Sequence, residues 1–217
     1  MQPPLLHTHL GQRLWLSAQR ALFWEETGIL LLSDLHLGKS GHFRKAGIPV
    51  PAAVMKEDMQ RLLHLLGHFK PKQLVVVGDF FHSRDNREHD LFRRWRDDLP
   101  DQRITLVRGN HDILPDQWYR DAGIEVEEEP LRVGPFCFAH DPADAPAGVY
   151  TFCGHLHPGV VLHGLGRQSL RFPCFYFGAE YCILPAFGKF TGLANVQPGK
   201  GDAVFAVVEQ SVIQVRS

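Results

Sequence analysis

The stretch Ile29-Leu30-Leu31-Leu32-Ser33-Asp34-Leu35-His36 passes directly from four apolar residues to an aspartate and a histidine. A short run that is continuously apolar is typical of a buried strand with both of its faces covered. Asp34 and His36 are two residues apart, so on an extended segment their side chains share a face. The stretch therefore predicts a buried strand that ends in a pair of metal-binding side chains.

The same pattern recurs four times further along the chain. Apolar runs at residues 74–77, 104–107, 136–139 and 149–153 each lead into a polar cluster. In α/β sheets the carboxyl ends of the strands border the crevice in which ligands bind, so these ends predict one shared site. The clusters supply residue types that bind metals or transfer protons, namely Asp79, Asn110, His111, Asp112, His140, His155 and His157.

Two helices are predicted between these strands. Apolar residues at a spacing of three to four mark one face over residues 54–69, including Leu62, Leu63 and Leu66. A shorter helix is predicted over residues 90–99, with Leu91, Phe92 and Trp95 facing inward. Strands that alternate with helices favour a single α/β domain over residues 1–217, with two packed β-sheets flanked by α-helices.

The composition excludes several classes of protein. The chain has 217 residues, 44% of them hydrophobic and 22% charged, which is typical of a globular domain rather than a disordered chain or a coiled coil. The longest apolar run, residues 203–208, is far shorter than the roughly 18 residues of a membrane-spanning helix. Residues 1–4 do not resemble a secretory signal, and the four cysteines form no CxxC motif. A cytoplasmic protein with buried thiols is therefore predicted.

Histidine is the residue in surplus, with 13 copies, while the formal net charge is only −1. A near-neutral chain does not have the large basic face of many nucleic-acid-binding proteins. Imidazole, carboxylate and amide ligands together are typical of Mn²⁺, Fe or Zn²⁺ rather than of Ca²⁺ or Mg²⁺. Each motif taken alone is also compatible with a turn, a helix cap or a buried histidine. Their occurrence together at strand ends favours a metal site.

The order of these motifs resembles that of the calcineurin-like metallophosphoesterase superfamily. Asp-x-His, Gly-Asp, Gly-Asn-His-Asp, a lone histidine and Gly-His-x-His follow one another between residues 34 and 157. The resemblance implies a phosphoesterase with a double β-sheet sandwich and a binuclear metal site at the carboxyl ends of its strands. It also implies two divalent metal ions as cofactors, with Mn²⁺ as the first choice and Fe or Zn²⁺ as alternatives.

The resemblance further implies a role for each residue of the site. The first ion would be held by Asp34, His36 and His157, and the second by Asn110, His140 and His155. Asp79 would bridge the two ions, His111 would be the catalytic histidine, and Asp112 would orient His111.

A narrower resemblance covers nearly the whole chain. Residues 34–39, 42–47, 50–51, 184–188 and 191–192 are similar to those of the ligase-associated DNA damage response endonucleases of bacteria. This similarity implies a nuclease of DNA repair with DNA as its substrate, an ATP-dependent DNA ligase among its partners, and no contact with a membrane.

A basic stretch follows the first metal motif. Residues 38–47 contain Lys39, Arg44 and Lys45 and no acidic residue, which predicts contacts to DNA phosphates, with a solvated loop as the alternative. A phosphoesterase for a nucleotide or a nucleoside-diphosphate-linked substrate is the alternative function. Only short insertions interrupt the predicted elements, which favours an open site and a polymeric substrate. A non-enzymatic module is disfavoured because the complete set of ligands and His111 is present.

Overall fold

The computed structural model describes residues 2–39, 53–82, 87–164 and 168–215. The helices of these ranges include α1 (Ala53–Phe69), α2 (Arg87–Asp97) and α3 (Asp116–Asp121), and a short 3₁₀ helix covers Pro142–Asp144. The strands form two sheets, which confirms the expected α/β sandwich.

The first sheet has seven strands in chain order, β1 to β7. The pairs from β1 to β4 are antiparallel and those from β4 to β7 are parallel. Because β4, β5 and β6 are parallel neighbours, their carboxyl ends meet at one edge of the sheet. The strands are β1 (Leu5–His9), β2 (Gln12–Ser17), β3 (Ala21–Trp24), β4 (Ile29–Ser33), β5 (Gln73–Val77), β6 (Arg103–Val107) and β7 (Ile124–Glu127).

The second sheet has nine strands, seven of them in the order β14-β11-β12-β13-β10-β9-β8. β15 pairs with β12, and β16 pairs with β15. Within this sheet β9 and β10 are parallel, so residues 140 and 154 follow adjacent strand ends. The strands are β8 (Leu131–Val133), β9 (Phe136–Ala139), β10 (Tyr150–Cys153), β11 (Pro158–His163), β12 (Ser169–Phe177), β13 (Tyr181–Ile183), β14 (Ala194–Asn195), β15 (Ala203–Val208) and β16 (Ser211–Val215).

Alternate residues of the central strands pack into two different cores. Leu30 and Leu32 of β4 pack against the three helices in one buried cluster. Leu31, between them, belongs to a second cluster with Phe138 and Phe152 of the other sheet. Both faces of β4 are therefore covered, which explains why its sequence is continuously apolar rather than alternating.

The faces of two helices differ from the prediction. Leu63 is 39% exposed and Leu91 is 53% exposed, whereas Leu65 and Phe92 are fully buried. At about 100° per residue, Leu63 and Leu91 point more than a quarter of a turn away from the centres of the buried stripes. Helix α2 also begins at residue 87 and ends at residue 97, instead of covering residues 90–99.

All four cysteines are buried free thiols, as predicted: Cys137, Cys153, Cys174 and Cys182. Among the described residues, no helix combines the length and the apolar character that a membrane span requires.

Candidate metal centre

The loops that follow β4 and β5 are joined by their backbones. The N–H of Asp34 donates to the carbonyl oxygen of Gly78 (3.1 Å), and the N–H of His36 donates to that of Asp79 (2.9 Å). The parallel pairing of the two strands thus continues beyond their ends. This continuation brings the Asp-x-His motif alongside the Gly-Asp motif, as the sequence predicts.

A first group of side chains comprises Asp34, His36 and His157. The Nε2 atoms of the two histidines are 3.2 Å apart, and the Nε2 of His157 lies 3.3 Å from Oδ1 of Asp34. One potential ligand atom from each of the three residues lies within 4.8 Å of the others. The structure therefore brings together the residues predicted to hold the first ion.

A second group lies across the crevice, on loops from β6, β9 and β10. The Nε2 of His140 lies 3.0 Å from Oδ1 of Asn110 and 3.2 Å from Nδ1 of His155. The Nδ1 of His140 faces the carbonyl oxygen of Val77 at 3.4 Å. Donation of the Nδ1 proton to that carbonyl leaves Nε2 with the lone pair that a metal needs.

Asp79 lies between the two groups. Its Oδ1 is 3.4 Å from Nε2 of His140, and its Oδ2 is 3.8 Å from Nε2 of His36. The Asp79 side chain is buried, with Asp34 and His140 offering further ligand atoms close by. A single carboxylate with one oxygen toward each group is the arrangement expected of a bridging ligand.

The backbone of the site is strained. Five of the nine non-glycine residues with a left-handed φ in the described ranges are Asp79 and members of the two groups, and glycine is the residue that ordinarily favours this region. Strain of this kind persists where the surrounding structure enforces it, and it is concentrated at functional sites. The five are Asp34 (52°), His36 (49°), Asp79 (51°), His155 (65°) and His157 (46°).

Gly78 lies directly against the ring of His140, in the second group. Its φ is +72°, and a Cβ atom at this position would lie 1.9 Å from Nδ1 of His140. Gly11 has nearly the same φ, +74°, but a Cβ atom there would meet nothing within 4 Å. The two glycines therefore share the same backbone requirement and differ in the space around them.

We expect Gly78→Ala to displace the His140 ring and to weaken metal binding, whereas Gly11→Ala should cost only the backbone strain, about 1–2 kcal/mol. Urea unfolding and a Mn²⁺ titration of both variants separate the two effects. Equal losses of stability with unchanged metal affinity in both variants would show that the contact with His140 is unimportant.

His111 lies beside the first group. Its N–H donates to Oδ1 of Asp79 at 3.0 Å, and its ring centroid lies 5.6 Å from that of His36. The ring of His82 is also close, at 4.5 Å from His111 and 5.4 Å from His36. The sequence assigned no role to His82; its only signal was its position three residues after Asp79.

Asp112 makes contacts other than the expected one with His111. Its Oδ1 accepts hydrogen bonds from the N–H groups of Phe80 (2.9 Å) and Phe81 (3.1 Å), and its Oδ2 accepts one from Gly109 (2.9 Å). Burial raises the pKa of Asp112 to about 7, although these backbone donors oppose the shift. These bonds join the loops after β5 and β6, so Asp112 fixes the backbone that carries His111 instead of contacting its ring.

Asp141 is a second residue to which the sequence assigned no role. Its Oδ2 lies 3.6 Å from Nε2 of His155, on the opposite side of that ring from His140. Carboxylates commonly hold the outer nitrogen of a metal-binding histidine and orient its ring. Asp141 is therefore placed to orient the ring of His155.

Lys39 is the one basic residue of the predicted basic loop that lies in the described ranges; Arg44 and Lys45 lie outside them. Lys39 is half-buried and lines a small crevice together with His36 and Phe190. Burial lowers the pKa of Lys39, while the carboxylates of Asp79 and Asp34 act in the opposite direction. Its ammonium group therefore lies within electrostatic reach of the site.

The donor set fits divalent transition-metal ions. Asp34 and Asp79 are 0% and 2% exposed, and buried carboxylates require cations or hydrogen-bond donors. Burial lowers the pKa of His36 to about 2, with further contributions from Lys39 and the neighbouring histidines. His36 therefore stays neutral, which is the form that binds a metal. Neutral imidazole together with carboxylate is a mixed set that suits Mn²⁺, Fe or Zn²⁺.

Comparisons with known proteins show the family to which this chain is similar. A family model described as calcineurin-like phosphoesterase matches residues 27–181. The crystal structure of the Pseudomonas putida nuclease MPE is similar, with 30% sequence identity and a TM-score of 0.84, over 98% of this chain and 100% of that chain. The phosphoesterase Yfce of E. coli is 16% identical, with a TM-score of 0.48, over 86% and 97% of the two chains. Among curated proteins, no match was found.

Proposed function

Because this chain belongs to the calcineurin-like phosphoesterase family of metal-dependent hydrolases, we propose that it is a binuclear phosphodiesterase that cleaves DNA. The observation that carries the proposal is Asp79, whose two carboxylate oxygens face His140 and His36 in the two ligand groups. We assign the first ion to Asp34, His36 and His157, the second to Asn110, His140 and His155, and both to Asp79.

The charge of the site suits a phosphodiester. When bound, two divalent ions would supply Lewis-acid stabilisation of the charge that develops on the phosphate. Asp34 and Asp79 neutralise only half of the ionic charge, and the histidine ligands are neutral. The remaining positive charge attracts the anionic backbone of a nucleic acid.

His111 is proposed as the general acid. Its backbone N–H is tied to Asp79, so its ring is held next to the ligand groups without being one of the ligands. As a water molecule attacks the phosphorus, a protonated imidazole in this position donates a proton to the departing alkoxide oxygen of the sugar, which leaves as a hydroxyl. Asp112 contributes by fixing the loop that carries His111.

Three observations support DNA as the substrate. The similar structure is that of a nuclease, Lys39 lies beside the ligand groups, and Arg44 and Lys45 follow it in a stretch without acidic residues. In its specific form, the proposal is an endonuclease of cytoplasmic DNA repair. This endonuclease uses Mn²⁺ and works together with an ATP-dependent DNA ligase. The whole chain would act as one phosphoesterase domain.

A metal-titrated cleavage assay tests this function. Circular single-stranded DNA, circular duplex DNA, cyclic nucleotides and a bis-aryl phosphodiester are each incubated with the metal-free protein and increasing Mn²⁺, Fe²⁺ or Zn²⁺. Cleavage of a circular DNA supports an endonuclease. Turnover of nucleotides without cleavage of either DNA would instead support the small-molecule phosphoesterase.

We expect the triple variant Lys39→Ala/Arg44→Ala/Lys45→Ala to raise KM for DNA and to flatten its salt dependence by about three units of slope at most. A bis-aryl phosphodiester, which has no further phosphates to contact, should be hydrolysed almost as before. KM is measured for both substrates between low and high salt.

The control is Lys70→Ala/Lys72→Ala/Arg103→Ala. These exposed residues precede or begin β5 and β6, at the edge of the first sheet opposite to the ligand groups. The control should leave both substrates unaffected. An equal effect of the first variant on both substrates would assign the basic loop to the architecture of the site instead of to DNA.

A further inference from the structure

Residues 184–188, here called the crossing segment, connect the two sheets next to the ligand groups. The N–H of Leu184 donates to the carbonyl oxygen of Cys153 (2.8 Å), at the end of β10. Further along, the N–H of Phe187 donates to the backbone carbonyl oxygen of Ser33 (2.8 Å), and the N–H of Gly188 donates to that of Asp34 (3.1 Å). Both acceptors lie at the end of β4. The crossing segment thus contacts the bases of the loops that carry His155 and Asp34.

The crossing segment packs tightly against the Asp34 loop. A Cβ atom at Gly188 would lie 2.6 Å from the carbonyl oxygen of Leu35. The side chain of Asp34 in turn accepts hydrogen bonds from the N–H of His155, at 3.2 and 3.1 Å from its two oxygens. A displacement of the crossing segment would therefore also displace Asp34.

Two arginines hold the crossing segment on its other side. The Nη1 of Arg20 donates to the carbonyl oxygens of Ala186 (3.2 Å) and Gly188 (3.3 Å). Arg61 donates through Nη2 to the carbonyl oxygen of Phe187, and its guanidinium carbon lies 4.2 Å from the centre of the Phe187 ring. Two side chains thus bind three consecutive carbonyl groups: Arg20 lies in the turn between β2 and β3, and Arg61 lies on α1.

Asp58 completes this network. Its Oδ1 lies 3.3 Å from Nη2 of Arg61, and its Oδ2 accepts a hydrogen bond from the N–H of Lys189 (3.3 Å). The side chains of Asp58 and Arg61 are only 5% and 13% exposed. Burial lowers the pKa of Arg61 to about 10, so the guanidinium still carries its charge at neutral pH.

Burying these charges is unfavourable in free energy, so the stability of the fold alone does not explain the network. Replacing a buried ion pair with apolar side chains of similar volume is often neutral or stabilising. A buried network is therefore better explained by the geometry that it enforces. Here the hydrogen bonds of Arg20, Arg61 and Asp58 end on the backbone of residues 186–189.

We infer that Arg20, Asp58 and Arg61 are positioning residues of the metal centre, which act through the crossing segment to fix Asp34. The inference rests on the proposed role of Asp34 as a metal ligand. It makes metal affinity depend on side chains that contact neither the ions nor the substrate. Outer residues that orient metal ligands typically change affinity by about 10- to 100-fold when they are removed.

The test is a Mn²⁺ titration of the metal-free protein, with free Mn²⁺ followed by electron paramagnetic resonance and folding followed by near-UV circular dichroism. Arg20→Ala and Arg61→Ala should each raise the Kd of at least one of the two Mn²⁺ ions by about 10-fold or more. Arg61→Lys, which keeps the charge opposite Asp58, should recover part of the affinity.

Two controls separate positioning from loss of stability. Leu66→Ala removes a buried apolar side chain of α1 that takes no part in the hydrogen bonds to the crossing segment, and Arg103→Ala removes an exposed arginine that pairs with Glu125. Leu66→Ala should lower Tm while its Kd for Mn²⁺ stays within about twofold of the wild type. Arg103→Ala should change neither Tm nor Kd.

A third variant, Gly188→Ala, retains all three charged side chains and pushes the crossing segment away from Leu35. It should weaken Mn²⁺ binding in the same way, and it decides the question if Arg61→Ala does not fold. Variants that lose stability as Leu66→Ala does, but bind Mn²⁺ like the wild type, would overturn the inference. Because the titration needs no nucleic acid, this outcome is distinct from a failure to cleave DNA.

Discussion

Asp79→Asn should lower the binding of both metal ions and reduce turnover by about 10³-fold or more. The expectation follows from the position of one carboxylate between His140 and His36, at 3.4 and 3.8 Å. Asparagine keeps an oxygen that can accept the N–H of His111, so the loop is retained while the negative charge is lost. Charge stabilisation by the ions is worth several kcal/mol, and each 1.4 kcal/mol changes the rate tenfold.

Metal analysis after reconstitution with Mn²⁺ measures the first effect, and hydrolysis of a bis-aryl phosphodiester measures the second. The wild type should approach two equivalents of Mn²⁺. Asp202→Asn is a matched control, because Asp202 accepts a hydrogen bond from Tyr176 (2.6 Å) at a site remote from the ligand groups. Loss of one ion with full retention of the other would assign Asp79 to a single ion.

His111→Ala should retain both ions but lose about 10²- to 10⁴-fold in turnover, the usual contribution of general acid catalysis. Metal binding should survive because the contact with Asp79 comes from the backbone N–H, which alanine also has. The loss should be smaller for a nitrophenyl ester, since nitrophenolate departs without a proton.

His64→Ala removes an exposed imidazole from α1 and serves as the control, with turnover expected to be unchanged. The decisive comparison is between DNA and the nitrophenyl ester, with metal content measured in parallel. An equal loss of turnover on both substrates would reassign His111 to stabilising charge on the phosphate. A loss of metal would make His111 a ligand.

Much of the fold could be predicted because the central strands report their surroundings locally. The apolar runs that became β4, β5 and β6 are buried on both faces, so their sequences show it without reference to the rest of the chain. The helices were less well predicted. Leu63 and Leu91 lie next to buried positions, and the sequence does not fix which edge of an apolar stripe faces solvent.

The ligand groups were predictable for a related reason. Each ligand follows a strand end, and the parallel order of β4, β5 and β6 brings three of those ends together. Contacts between distant parts of the chain had no such signal. Arg20 and Gly188 are 168 residues apart, and a hydrogen bond from a side chain to a backbone carbonyl leaves no pattern in either segment. Asp141 and His82 were missed because nothing local distinguishes a supporting residue from its neighbours.

The left-handed backbone at Asp34, His36, Asp79, His155 and His157 has an evolutionary consequence. The left-handed backbone by itself favours glycine at all five positions, because a Cβ atom in this region is unfavourable by about 1–2 kcal/mol. Selection for chemistry requires a carboxylate or an imidazole at the same five positions. The two requirements oppose each other at each of these residues, so the ligands are kept only while selection for activity outweighs the strain of the backbone that carries them.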